Sequence, residues 1–202
     1  MSRELVVGLT GASGGAVGVG LLRALQRCPE VSRVHVVVSE AAEIVLAQEL
    51  ELPRGGAAAL IGRCLEGDAR FTPWRNDQMA APIASGSHRT SGMVIAPCSM
   101  HTLACVAQGL ADRLIHRAAD VTLKERRPLL LAVRETPLGA VHLENMARAT
   151  RNGAVVFPVC PAFYARPATL DEVLDNFIMR LLDHLGLPAD RGVRWGEGRS
   201  AT

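Results

Sequence analysis

The chain has 202 residues, 49% of them hydrophobic, with a formal net charge of +2. That length fits a single domain with a sizeable core. The near-neutral charge, with 3% aromatic residues and no basic stripe, excludes the usual nucleic-acid binder. No apolar run reaches the roughly eighteen residues that span a bilayer, and the N-terminus lacks a basic-then-apolar signal pattern, so the chain reads as a cytoplasmic protein with no membrane partner.

The first predicted strand, Leu5 to Leu9, runs into the glycine cluster of "LTGASGGAVG", where a helix is expected to begin and to continue toward Arg27. Val34 to Val38 reads as the second strand; Ser39 then caps a helix reaching about Glu49. Residues 52–91 give no clear periodicity and read as a connection, helical in part. Met93 to Ala96, Leu129 to Val133 and Ala154 to Phe157 complete five apolar runs, with a helix from Leu114 stopping before Pro128. The last helix opens with Thr169 and Glu172 as a capping box and carries Leu170, Val173, Leu174, Phe177, Ile178, Leu181 and Leu182 as its stripe; Gly186 and Pro188 end it. The tail after about residue 187 is expected to be extended and to reach a neighbouring chain.

Continuous rather than alternating apolar runs suit parallel strands covered on both faces. The expected fold is therefore α/β, a Rossmann-like (flavodoxin-like) three-layer arrangement around a mostly parallel sheet, in one domain over residues 1–202. Ligands of such sheets bind beyond the carboxyl ends of the strands. There the chain places the glycine loop, Ser39, "PCSMHT", Arg134 with Glu135, and the loop holding Tyr164, the only tyrosine.

Glycine backbone N–H groups at a helix start can cradle an anion, yet neither G-x-G-x-x-G nor G-x-x-x-x-G-K-[ST] is present. A tight turn without a ligand fits equally well. Arg117, Asp120 and the single lysine, Lys124, share a helical face by spacing, which suggests phosphate; an ordinary surface pair between Asp120 and Lys124 is the simpler reading. Arg180 is a cation beside the stripe of the last helix and could snorkel. The six histidines and five cysteines show no standard metal spacing, so no metal is expected.

Together "GLTGASG", "ASGS", "MVIAPCSMHTLA", "RAADVTLKERRPLLLAVRETPL", "HLENM" and "PAFYARP" resemble the UbiX family of flavin prenyltransferases, collinearly from about Leu5 to Trp195. The resemblance implies a homo-oligomeric flavoprotein, a dodecamer, that joins the dimethylallyl group of dimethylallyl monophosphate to N5 and C6 of reduced FMN. It also implies no metal, and a UbiD-type decarboxylase as recipient of the prenylated FMN. By position, Gly11, Ala12, Ser13, Ser39, Ser99, Met100, His101, Thr102 and Arg134 match the flavin contacts. Ser85, Arg117, Lys124, Tyr164 and Arg180 match the prenyl-phosphate contacts. Glu49, Lys124, Glu135 and Ser13 form the implied catalytic set, Ser13 facing the flavin rather than acting as a nucleophile, with some residues supplied by adjacent subunits. The chain departs from the family pattern in lacking an aromatic residue at Ala16 or Val17, and a tryptophan at or near Gln78. Two other readings are an FMN-dependent peptidyl or pantothenoyl-cysteine decarboxylase and a non-catalytic FMN carrier. "PCSMHT" lacks the Ala-Asn loop of the former, and an intact phosphate cluster argues against the latter.

Overall fold

The computed structural model describes residues 2–196. Six strands form one wholly parallel sheet in the order β3-β2-β1-β4-β5-β6. The strands are β1 (Arg3–Leu9), β2 (Val31–Val38), β3 (Phe71–Arg75), β4 (Gly92–Cys98), β5 (Leu129–Val133) and β6 (Val155–Val156). This is the doubly wound order, whose switch point lies between β1 and β4. β1 and β4 are buried almost throughout because helices cover both faces.

One face carries α1 (Gly15–Arg27), α2 (Glu40–Leu50), α3 (Gly56–Cys64) and α7 (Leu170–His184), which share a core with Leu5, Val7 and Leu9. The other carries α4 (Met100–Gln108), α5 (Leu114–Lys124) and α6 (Ala140–Arg151), packed on Met93, Ile95, Leu129 and Leu131. The alternation of β1 thus feeds two separate cores.

Two elements arise inside the stretch read as a connection. β3 contains Pro73, which cannot donate to a ladder; it is tolerated because β3 is an edge strand. α3 is short and alanine-rich, and it opens on Gly55 and Gly56, both in positive-φ conformations. The predicted caps form as expected: Ser39 Oγ accepts from Ala42 N–H, and Thr169 Oγ1 from Glu172 N–H. Glu172 reaches back one residue further than a capping box requires, to Ala168 N–H at 2.7 Å. Leu170 leaves the predicted stripe and is exposed.

The described part of the tail has no helix or strand and is held to its own chain. Val193 N–H donates to Asn176 at 2.7 Å, Asp190 pairs with Arg27, and Arg194 pairs with Asp183.

α1 lies close to β4. A Cβ on Gly18 would sit 2.5 Å from the Ala96 carbonyl oxygen and 2.7 Å from Leu9 Cδ2. Gly18→Ala should therefore cost about 1–3 kcal/mol in urea unfolding, since backbone cannot yield as a side chain does. An unchanged midpoint would mean α1 slides freely on the sheet.

At the other end of the sheet, Trp74 Nε1–H donates to His35 Nδ1 at 2.9 Å, so the His35 proton sits on Nε2 and meets Glu4 Oε1 at 2.6 Å. His88 Nε2 meets the same oxygen at 2.7 Å. Burial pushes the His35 pKa below its ordinary 6.5, against the pull of Glu4. Burial raises Glu4, but its two histidine partners outweigh that and hold it below 4.5. Both depressions mean the unfolded chain binds protons first, so stability is lost as pH falls below 6.5 and again below 4.5. His35→Gln keeps one donor and one acceptor without titrating. It should flatten the decline in melting temperature between about pH 6.5 and 5; an unflattened profile would place the titration elsewhere.

Candidate functional site

Three helix N-termini, those of α1, α2 and α4, open at the carboxyl edge of the sheet beside the β1/β4 switch point. Thr10, directly after β1, ties the two central loops together. Its hydroxyl donates to the Pro97 carbonyl at 2.8 Å and accepts from Ser99 N–H at 2.8 Å. The sequence reading passed over Thr10; a hydroxyl immediately following the first strand was the available signal.

Gly11 approaches α2 so closely that a Cβ there would meet Ala41 Cβ at 2.4 Å. Gly14, at φ +109°, turns the chain into α1, and its N–H is shared between the two Glu49 oxygens at 3.1 Å each. Gly15 N–H donates to Glu49 Oε2 at 2.8 Å. The anion cradled by the glycine loop is thus a carboxylate of the chain itself, and those two donors are spent on it. Burial raises the Glu49 pKa, but the Ser13 hydroxyl, the Gly15 and Gly14 N–H groups and the nearby Arg134 charge together hold it below 4.5. Glu49 is therefore ionised at neutral pH and forms one group with Ser13 and Arg134.

These three residues line a cavity of about 420 Å³ whose remaining wall is apolar: Val17, Val159, Pro161, Leu170, Val173 and Phe177 among others. A small polar cluster facing an apolar wall suits a ligand with both characters. Exposed Leu170 belongs to this rim. Ser39 and Ser99 stand at the starts of α2 and α4 along the same sheet edge, each accepting an N–H as a helix cap; the Ser99 hydroxyl further lies 3.3 Å from Thr102 Oγ1. Ala12 and Thr102 are buried in the loop walls.

His101 belongs to the same turn by its backbone, but its side chain does not face this cavity. Its Nε2 lies 3.7 Å from Cys105 Sγ, further along α4.

The remaining predicted residues divide between the two outer layers. Arg117, on α5, donates to the Ala84 carbonyl and pairs with Asp120 at 2.8 Å. Lys124 pairs with Glu125 at 2.6 Å, so the surface pair expected with Asp120 does not form. Exposed Ser85 stands beside Gly86, where a Cβ would lie 2.6 Å from Lys124 Nζ. This group lies toward the amino edge of the sheet on the α5 face. On the opposite face, Tyr164 Oη meets the Val193 carbonyl at 3.3 Å and its ring packs edge-on against Trp195. Arg180 is exposed and lies 3.7 Å from Asp183, which also holds Arg194. Glu135 is exposed after β5, accepting from Thr136 N–H. One chain therefore joins Ser13, Glu49 and Arg134 but keeps Lys124 and Tyr164 in separate layers.

The Flavoprotein family matches residues 1–182. A probable UbiX-like flavin prenyltransferase of Streptomyces sp. (strain D7) is 46% identical over 98% of this chain and 94% of its own length. The chain belongs to the UbiX flavin prenyltransferase family. Flavin prenyltransferase UbiX of Pseudomonas aeruginosa is 41% identical over 96% of this chain and 94% of its own. The UbiX fold recurs in the crystal structure of AnUbiX (PadA1) in complex with FMN and dimethylallyl pyrophosphate. That structure aligns with a TM-score of 0.87 at 40% identity, covering 98% of this chain and all of that one. A dodecameric FMN-dependent UbiX-like decarboxylase from Escherichia coli O157:H7 aligns with a TM-score of 0.86 at 41% identity, over 96% of this chain and all of that one. The cypemycin decarboxylase CypD, at 21% identity over 77% of this chain and 82% of its own, and a TM-score of 0.57, shares the fold alone.

Proposed function

We propose that this UbiX-family chain is a flavin prenyltransferase, a transferase of an alkyl group other than methyl. It joins the dimethylallyl group of dimethylallyl monophosphate to N5 and C6 of reduced FMN. The observation that carries this reading is the crevice at the carboxyl edge of the sheet, where an ionised carboxylate, the Ser13 hydroxyl and an arginine face an apolar pocket. Its donor set fits a flavin: the Ser39 hydroxyl proton is not used by its cap, the α2 and α4 N-termini supply positive ends, and Arg134 supplies a guanidinium. Gly11, Ala12, Ser13, Ser39, Ser99, Met100, the His101 backbone, Thr102 and Arg134 would hold it. Reduced FMN supplies the nucleophilic N5 and C6 positions.

Chain residues do the rest. The apolar wall takes the isoprenoid and excludes water. Ser85, Arg117, Lys124, Tyr164 and Arg180 take the phosphate, whose bridging oxygen gains negative charge as the allylic bond breaks; fixed cations stabilise that charge. Glu49, ionised and hydrogen-bonded through Ser13, accepts the proton released when C6 is alkylated. Glu135 flanks Arg134 and positions the cations.

Because Lys124 and Tyr164 lie on opposite layers of one chain, a complete site takes them from different subunits of a homo-oligomer; the dodecamer of the E. coli relative supports such an assembly. The product, prenylated FMN, passes to a UbiD-type decarboxylase. Incubated anaerobically with reduced FMN and dimethylallyl monophosphate, the protein should yield a flavin heavier by one C5 unit. Unchanged flavin mass at full FMN occupancy would overturn the reading and favour a carrier.

A further inference from the structure

We propose that the His101, Cys105 and His116 side chains form a binding site for a borderline-soft transition-metal ion of the zinc class, clasping α4 to α5. One ring nitrogen of each histidine and the Cys105 sulfur lie within 4.8 Å of one another. The Cys105 Sγ to His101 Nε2 distance is 3.7 Å. Zinc–sulfur bonds of about 2.3 Å and zinc–nitrogen bonds of about 2.0–2.1 Å in a tetrahedron put sulfur and nitrogen about 3.6 Å apart. The Cys105–His101 pair thus stands close to its bound spacing, with His116 within 4.8 Å of both and the two imidazole centroids 5.7 Å apart.

The tautomers separate this cluster from the other one of its kind among the described residues, Glu4 with His35 and His88. At His35, Trp74 donates to Nδ1, so Nε2 carries the proton and offers no lone pair. At His116 the arrangement is reversed. Asp112 Oδ1 lies 2.7 Å from Nδ1 and fixes the proton there, leaving Nε2 as the free lone pair. A carboxylate behind a histidine is the usual outer support of a bound metal.

Cys105 and His116 are buried, whereas His101 is exposed, and His116 lines an open cavity of about 550 Å³ through which an ion can enter. Three protein ligands leave a fourth, solvent-facing position. Binding converts the Cys105 thiol to thiolate and releases one proton to the buffer.

Cobalt serves as the probe. Chelator-stripped protein titrated with Co²⁺ alone should show visible tetrahedral bands and a near-ultraviolet thiolate band saturating at about one ion per chain, bleached by Zn²⁺. Cys105→Ala should abolish the near-ultraviolet band, while His88→Gln should leave it intact. Asp112→Asn should weaken cobalt binding by about 10–100-fold. Absence of the thiolate band, or its persistence in a folded Cys105→Ala protein, would overturn the site. Should Cys105→Ala fail to fold, the exposed Asp112 decides: unchanged cobalt affinity in Asp112→Asn overturns it. Prenylation does not enter these readouts, so failure of the site and failure of the flavin reading are distinguishable.

Discussion

Lys124→Ala is expected to lower prenyl transfer by about 10²–10³-fold, the usual cost of removing one preorganised donor from a developing negative charge. Affinity for FMN should be unchanged. The single lysine of the chain ends α5 with its ammonium paired to Glu125 and exposed, so the fold asks little of it. A surface ion pair of that kind adds little to stability, and the melting temperature should move little. Parallel FMN titration and single-turnover rates check the split. Loss of FMN itself would reassign Lys124 to the flavin.

Glu49→Gln should reduce turnover by about 10²–10⁴-fold, the range of a lost general base. Glutamine retains an oxygen for the Gly14 and Gly15 N–H groups but cannot take a proton. A small loss of stability with a far larger loss of turnover is the expected signature, and a drop in stability alone would leave Glu49 as a helix cap. The two variants also test each other. If Glu49 and Lys124 meet across a subunit boundary, then in a randomly mixed oligomer of both about a quarter of the sites carry both native residues. Refolding the inactive parents together should restore activity in that proportion. No recovery would place both residues of a site on one chain.

The five apolar runs revealed the parallel sheet because central strands buried on both faces need continuous hydrophobicity. β3 was illegible for the opposite reason: an edge strand can afford Pro73 and alternates its exposure. The caps at Ser39 and Thr169 were readable because hydroxyl-to-N–H bonds are local in sequence. Glu49 shows the limit. Its role was carried by resemblance, but that it fills the anion position of the glycine loop depends on contacts 34 and 35 residues distant, which no local pattern encodes. Lys124 shows another: spacing correctly placed it on the face of Arg117 and Asp120, yet its partner is the adjacent Glu125. The histidine and cysteine ligands of the inferred metal site escape spacing rules because only the packing of α4 on α5 assembles them.

If the cations of the two outer layers meet at one phosphate as proposed, quaternary closure becomes an activation step. An unassembled subunit can present the flavin wall while lacking the full set of charges that draws phosphate from an allylic carbon. Specific activity should therefore climb steeply with protein concentration through the association range, making turnover itself a gauge of how far assembly has gone.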